Sequence, residues 1–148
     1  MAELIGPLAG LFLLAFSAAT LLPGGSEAGL LAMASLSNYS SLTLLAVASA
    51  GNILGSVLNY GLGRLALRYQ DRRWFPVSAG QLASAQGWFS RWGRWSVLLA
   101  WMPVIGDPIT VAAGVMRMQI GLFIVLVSLS KTLRYAVLIG AFDLLVTI

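Results

Sequence analysis

Between Glu27 and Arg64 the chain runs for 36 positions, residues 28–63, without a charged residue. A helix needs about 20 apolar residues to cross the hydrocarbon core of a bilayer. The stretch therefore holds at least one crossing and leaves room for part of another. A soluble domain carries roughly 25% charged residues, whereas here 9% are charged and 59% hydrophobic. The surface of such a chain must face lipid, which predicts an all-α integral membrane fold with residues 1–148 as one domain.

The first apolar run lacks a basic segment in front of it, so despite Ala18-Ala19 it does not read as a cleaved signal peptide and is expected to stay in the protein. With no cysteine and no histidine, disulfides, thiolate chemistry and imidazole ligands or bases are excluded. No metal site and no cofactor is expected. The net charge of +4 could suggest nucleic acid, but the arginines sit at the rims of apolar segments among tryptophans, which fits a lipid headgroup surface better. Membrane lipids are the expected partners. Arg64, Arg68, Arg72, Arg73, Arg91 and Arg94 fall in one connecting region, 64–94, opposed only by Asp71. By the excess of basic residues in cytoplasmic loops, that linker is expected on the cytoplasmic side of a multi-pass membrane protein.

Residues 4–22 are apolar enough to enter the bilayer but end at Pro23-Gly24-Gly25, followed at once by Ser26, which can cap a new helix, and Glu27 in its first turn. The segment from 27 to about 36 is too short to span and reads as one arm of a re-entrant hairpin. Residues 41–63 have spanning length. There Gly51 and Gly55 permit close helix approach, and Asn52 and Asn59 can hydrogen-bond across it. That small-residue face permits a homodimer without demanding one. Over 81–95, Leu82, Ala85, Trp88, Phe89, Trp92 and Trp95 gather on one side and Arg91 and Arg94 on the other, the pattern of an interfacial amphipathic helix. An apolar arm at 97–102 then breaks over Pro103 to Pro108 and resumes at 109–118, a second hairpin. Residues 119–142 again have spanning length, with Lys131 and Arg134 in the middle.

The two interrupted segments repeat at a fixed offset: 103 − 23 and 107 − 27 both equal 80, pairing Pro23 with Pro103 and Glu27 with Asp107. Half-repeats at about 4–63 and 95–143 follow. Paired broken helices in corresponding halves mark a substrate site near the membrane midplane. Ionised groups at that depth cost about 2.5–3.5 kcal/mol each on insertion scales, so Glu27, Asp107, Arg117, Lys131 and Arg134 are expected to pair around a polar pocket. Glu27 and Asp107 would be the proton-linked groups, and Arg117, Lys131 and Arg134 would bind a lipid phosphate. The simpler alternatives are that Pro and Gly only punctuate loops, that the ion pairs only fasten the hairpins, and that Arg117 is a snorkelling anchor. Tyr60 and Arg64 read as an aromatic and basic anchor at headgroup level. No enzyme is expected: residues 51–63 lack the ending of a phosphate loop, and Ser26 lacks the second glycine of a nucleophile elbow and any histidine.

Leu21-Leu22-Pro23-Gly24-Gly25-Ser26-Glu27, Gly51-Asn52-x-x-Gly55 with Asn59, Gly63-Arg64, Trp101-Met102-Pro103-Val104-Ile105-Gly106-Asp107, Ala113-Gly114-x-Met116-Arg117 and Lys131-x-x-Arg134-Tyr135 together resemble the YqaA branch of the DedA family, within the VTT-domain superfamily. The resemblance implies a bacterial inner-membrane protein with two oppositely oriented re-entrant hairpins meeting near the midplane; beside them the chain is expected to make two or three full crossings and to carry one interfacial helix. It further implies movement of lipids such as polyprenyl phosphates or phosphatidylethanolamine, in some members linked to the proton motive force. The family's acid after the first hairpin proline corresponds to Glu27, and its aromatic-x-x-x-Arg motif to Tyr60 and Arg64. Larger relatives carry arginines around the second hairpin's proline. Here no basic residue occurs between Trp95 and Met116, so a phosphate clamp must be rebuilt from Arg117, Lys131 and Arg134. The expected function is that of a lipid flippase or scramblase. The alternatives are a proton-coupled exporter of small cations or drugs and a non-transporting membrane scaffold.

Overall fold

The computed structural model describes residues 2–20, 25–36, 39–69, 73, 78–102 and 104–148. Pro23 and Pro103, the two expected hairpin breaks, lie outside them. The described residues form helices and turns with no strand. In order these are α1 (Ala2–Thr20), α2 (Gly25–Leu36), α3 (Ser41–Tyr69), α4 (Ala79–Trp92), a 3-10 segment (Gly93–Trp101), α5 (Gly106–Val115) and α6 (Ile120–Thr147). Among the described residues two helices are long and apolar enough to cross a membrane, Ser41–Leu65 within α3 and Ile120–Thr147. Leu42, Leu54 and Leu58 on the first, and Val125, Leu129, Leu133 and Val137 on the second, are exposed. In water such surface would be a liability; against acyl chains it is satisfied.

Glycines set the close packing. A Cβ at Gly51 or Gly55 would run into the Phe12 and Phe16 carbonyl oxygens and the Ala15 and Ala19 side chains of α1. The rising order of both sets of numbers makes α1 and α3 parallel. The small-residue face considered for a homodimer is thus filled by α1 of the same chain. Gly25 and Gly29 of α2 both meet Leu14 of α1, and Gly29 also reaches back to Leu11, so α2 folds back along α1. Gly63 of α3 and Gly114 of α5 likewise have no room for a side chain, since each is packed against backbone of the other helix. Such contacts let backbones approach to distances that any larger residue forbids.

Helix α6 runs antiparallel to α3 along its whole length. Ser41 Oγ donates to Asp143 Oδ2 at 2.9 Å at one end. At the other, the Tyr60 hydroxyl donates to the Met118 carbonyl and its ring lies 4.7 Å from that of Phe123. Shifting α2 (25–36) by 80 gives 105–116, over α5 at 106–115, and shifting the start of α3 gives 121, beside the start of α6 at 120. Two apolar clusters fill the interior, one where α1, α2, α3 and α6 meet around Leu30, Leu44 and Tyr135, the other where α3, α4, the 3-10 segment, α5 and α6 meet around Ile109, Val111 and Phe123.

Several local expectations change. Gly25 opens α2, so Ser26 lies inside its first turn instead of capping it. The helix expected over 81–95 occupies 79–92, because Ser78 and Gln81 form a reciprocal capping box and Gly93, at φ 60°, ends it. Leu82, Ala85 and Phe89 of that helix are buried in the protein, while Trp88, Trp92 and Trp95 are exposed; the apolar side is thus split between core and surface. The arm at 97–102 is 3-10 and not α-helical, and α5 already begins at Gly106. Pro108 falls in its first turn, where a missing N–H costs nothing. Tyr60 is a buried strut between α3 and the start of α6, not a headgroup anchor; Arg64 is exposed.

Candidate functional site

The middle of α6 presents Lys131, Arg134 and Tyr135, three and four residues apart and hence on one face. The first turns of α2 and α5 converge on that face. Asp107, second residue of α5, accepts from Lys131 Nζ at 3.0 Å. Glu27, third residue of α2, pairs through Oε1 with Arg134 Nη2. Beside it, the Tyr135 hydroxyl donates to Ser26 Oγ at 2.7 Å. Each carboxylate thus sits at a helix start, where the dipole favours negative charge, and also on a cation.

The two pairs differ in setting. Lys131 is 2% exposed and Asp107 27%, whereas Arg134 is 17% and Glu27 30% exposed. A cavity of about 420 Å³ is lined by Glu27 and Arg134 together with Trp101, Ser130, Leu133, Val137 and Leu138. Leu133, Val137 and Trp101 in its wall are themselves exposed, so the cavity opens on the outer, apolar side of α6. Asp107 and Lys131 do not line it. Ser130 donates to the Leu98 carbonyl at 2.9 Å, tying the 3-10 segment to α6 beside the cavity.

Arg117 is not brought to this cluster. Met118 N–H donates to Ala113 O and Arg117 N–H to Gly114 O, with Arg117 at φ 53°. That is a Schellman turn closing α5. Asp107 lies in the first turn of α5, and the ten-residue step to Arg117, nearly all of it helical, separates the two by about 15 Å. Arg117 is exposed beyond the C-terminus of α5; of the three cations expected to bind phosphate, Lys131 and Arg134 stand together and Arg117 stands apart.

Asn52 and Asn59 fasten α3 to its neighbours. Asn52 Nδ2 donates to Ala15 O at 3.1 Å, and Asn59 Nδ2 to Ala19 O at 2.7 Å and to Thr110 Oγ1 at 3.2 Å. Thr110 Oγ1 in turn donates to the Asp107 carbonyl at 2.6 Å. Ser26, Thr110, Ser130, Trp101 and Tyr135 belong to the site without having been singled out for it from the sequence. For Tyr135 the signal was its place directly after Arg134.

Two long apolar helices, two short helices directing acids onto the second of them, and a cavity at one of those acids define a membrane protein with a polar centre. Residues 22–144 match the VTT domain, and the chain belongs to that family, the DedA family. It is 39% identical over 131 residues to inner membrane protein YqaA of Escherichia coli, covering 88% of this chain and 87% of the relative. A protein of Haemophilus influenzae is 35% identical, over 87% of this chain and 83% of its own. Undecaprenyl phosphate transporter A of Staphylococcus aureus is 32% identical over 105 residues, 66% of this chain and 52% of the relative. No solved structure matches. These relatives bear the names of a bacterial inner membrane protein and a transporter, which sets the chain among bacterial inner-membrane proteins.

Proposed function

We propose that the chain moves phosphate-bearing lipids across the bacterial inner membrane. The observation that carries this reading is the cavity with a charged floor, Glu27 and Arg134, and apolar walls that open on the lipid-facing side of α6. An amphiphile matches that shape: its phosphate meets the Arg134 guanidinium, a planar fork suited to phosphate oxygens, while its chain lies along Leu133 and Val137. Glu27 holds Arg134 until a phosphate takes its place, and protonation of Glu27 favours the exchange. The relative in Staphylococcus aureus, named for transport of undecaprenyl phosphate, supports the substrate class.

In this reading α3 and α6 cross the membrane in opposite directions. The α1–α2 pair and the 3-10 segment with α5 enter from opposite sides and turn back, and the basic linker 64–94 lies in the cytoplasm. The length of the two apolar helices, their antiparallel contact and the 80-residue offset support it. An exporter that binds a cation on the two acids alone fits less well, because both carboxylates already hold basic side chains.

The test is headgroup accessibility of fluorescent phospholipids and of a polyprenyl phosphate in proteoliposomes, comparing wild type with Glu27→Gln, Asp107→Asn and Arg134→Gln. Acceleration by the wild type that Arg134→Gln abolishes is expected. Absence of acceleration with every lipid, with or without a proton gradient, removes the reading.

A further inference from the structure

Ser49, Asn52, Ser56 and Asn59 follow one another at spacings of three, four and three, so they form a row on one face of α3, and all four are buried. The amide nitrogens of Asn52 and Asn59 are committed to the carbonyl oxygens of Ala15 and Ala19. A carbonyl only accepts, so neither amide can be turned round. The two amide oxygens must then face elsewhere, and together with Ser49 Oγ they have no hydrogen-bond partner among the described residues. An orphaned buried acceptor costs about 1–3 kcal/mol, native interiors keep few of them, and hydrocarbon supplies no donor. Three such groups on one helix face suit a small hydrogen-bonding guest such as water.

The row also leads somewhere. The side chain of Asn52 lies against the Tyr135 hydroxyl, which donates to Ser26 beside Glu27. Asn59 is bonded to Thr110, whose hydroxyl donates to the backbone carbonyl of Asp107, the residue that carries the second carboxylate. Between them Ser56 Oγ donates to the Asn52 carbonyl at 3.0 Å, leaving its own lone pairs available. Asn52 and Asn59, seven residues apart, are about 10 Å from each other along the helix, a distance of a few hydrogen-bond lengths.

We propose that Ser49, Asn52, Ser56 and Asn59 hold a file of internal water on the buried face of α3, and that this file passes protons between Glu27 and Asp107. A proton leaving the Glu27 carboxyl forms an O–H bond with the first water, which releases one of its own protons to the next. The last water protonates the Asp107 carboxylate. Every O–H bond formed is matched by one broken, Glu27 becomes ionised as Asp107 becomes neutral, and no electron moves between groups. Among the described residues the charged and titratable groups facing the path are Arg134 and Lys131, which stabilise whichever acid is ionised, and Tyr135. The path needs no lipid and stands independently of the transport proposed above.

The test is proton flux into proteoliposomes loaded with a pH-sensitive dye, driven by a potassium diffusion potential. Wild type is compared with Asn52→Leu, Asn59→Leu and Ser49→Ala/Ser56→Ala, with melting temperature recorded for each. Wild type should dissipate the gradient faster than empty vesicles, and each leucine variant should slow it at least tenfold. The serine-to-alanine double variant removes two hydroxyls without adding bulk and decides the matter if the leucine variants do not fold; it should slow flux several-fold. A wild type no faster than empty vesicles, or a double serine variant that conducts like wild type, overturns the proposal.

Discussion

Lys131 reaches Asp107 at 3.0 Å from a position that is only 2% exposed, so α5 is fastened to α6 by an ion pair whose cationic half is buried. Taking one partner from such a pair leaves an uncompensated buried charge, which costs about 3–5 kcal/mol, while replacing both by apolar groups can be neutral. Lys131→Met alone and Asp107→Leu alone are each expected to lower thermal stability in detergent sharply. The double variant should recover most of the loss. Equal and additive losses in a double-mutant cycle would show the pair to be uncoupled.

At the crossing of α3 and α5, a Cβ on Gly114 would fall inside contact distance of the Tyr60 carbonyl oxygen and against the Gly63 backbone. Backbone cannot swing aside as a side-chain tip can, so Gly114→Ala should cost more than about 3 kcal/mol or prevent folding. A Cβ on Gly61 of α3 or Gly121 of α6 would meet nothing within 4 Å. Gly61→Ala and Gly121→Ala should fold at wild-type yield, which size-exclusion chromatography reads directly.

Arg117 occupies the left-handed position of the Schellman turn, where glycine is the usual residue. Arg117→Gly should hold stability or raise it by up to about 1 kcal/mol, and it should leave lipid exchange intact, in contrast to Arg134→Gln. Loss of exchange in Arg117→Gly with unchanged melting temperature would return Arg117 to the binding site.

How far this site was legible follows from what each signal measures. Charges inside apolar segments stand out by their cost, so Glu27, Asp107, Lys131 and Arg134 could be read from hydropathy alone. Which cation meets which acid could not, because that depends on where the short helices begin relative to the turns of α6. Arg117 looked equivalent to Arg134 because sequence distance from the Pro-x-x-x-acid motif says nothing about the end of α5 on which a residue emerges. Gly51 and Gly55 announced a close helix contact, but a small-residue face does not name its partner, and α1 proved to fill it. Tyr60 was misplaced for a related reason: an aromatic four residues before an arginine near a helix end suits an interface, yet its hydroxyl has a buried carbonyl to reach at Met118. The start of α4 was readable and overlooked, in Ser78-x-x-Gln81.

The surface of α4 and the 3-10 segment offers a last expectation. From Ala79 to Trp101 there is no acidic residue. Trp88, Trp92 and Trp95 are exposed while Leu82, Ala85 and Phe89 are held by the protein core. Arg94 lies 6.0 Å from the Trp95 ring centroid, a spacing at which cation and ring attract. Exposed indoles beside unopposed guanidinium groups settle at the boundary between headgroups and acyl chains, with the rings in the boundary layer and the charges toward phosphate. In a variant retaining Trp92 and carrying phenylalanine at the other tryptophans, fluorescence should be quenched more by lipids brominated near the headgroup than by lipids brominated deep in the chain. Arg91→Gln/Arg94→Gln should weaken that quenching in vesicles containing anionic lipid, with less effect in neutral ones. Stronger quenching from the deep positions would put α4 inside the hydrocarbon core, and quenching from neither would put it in water.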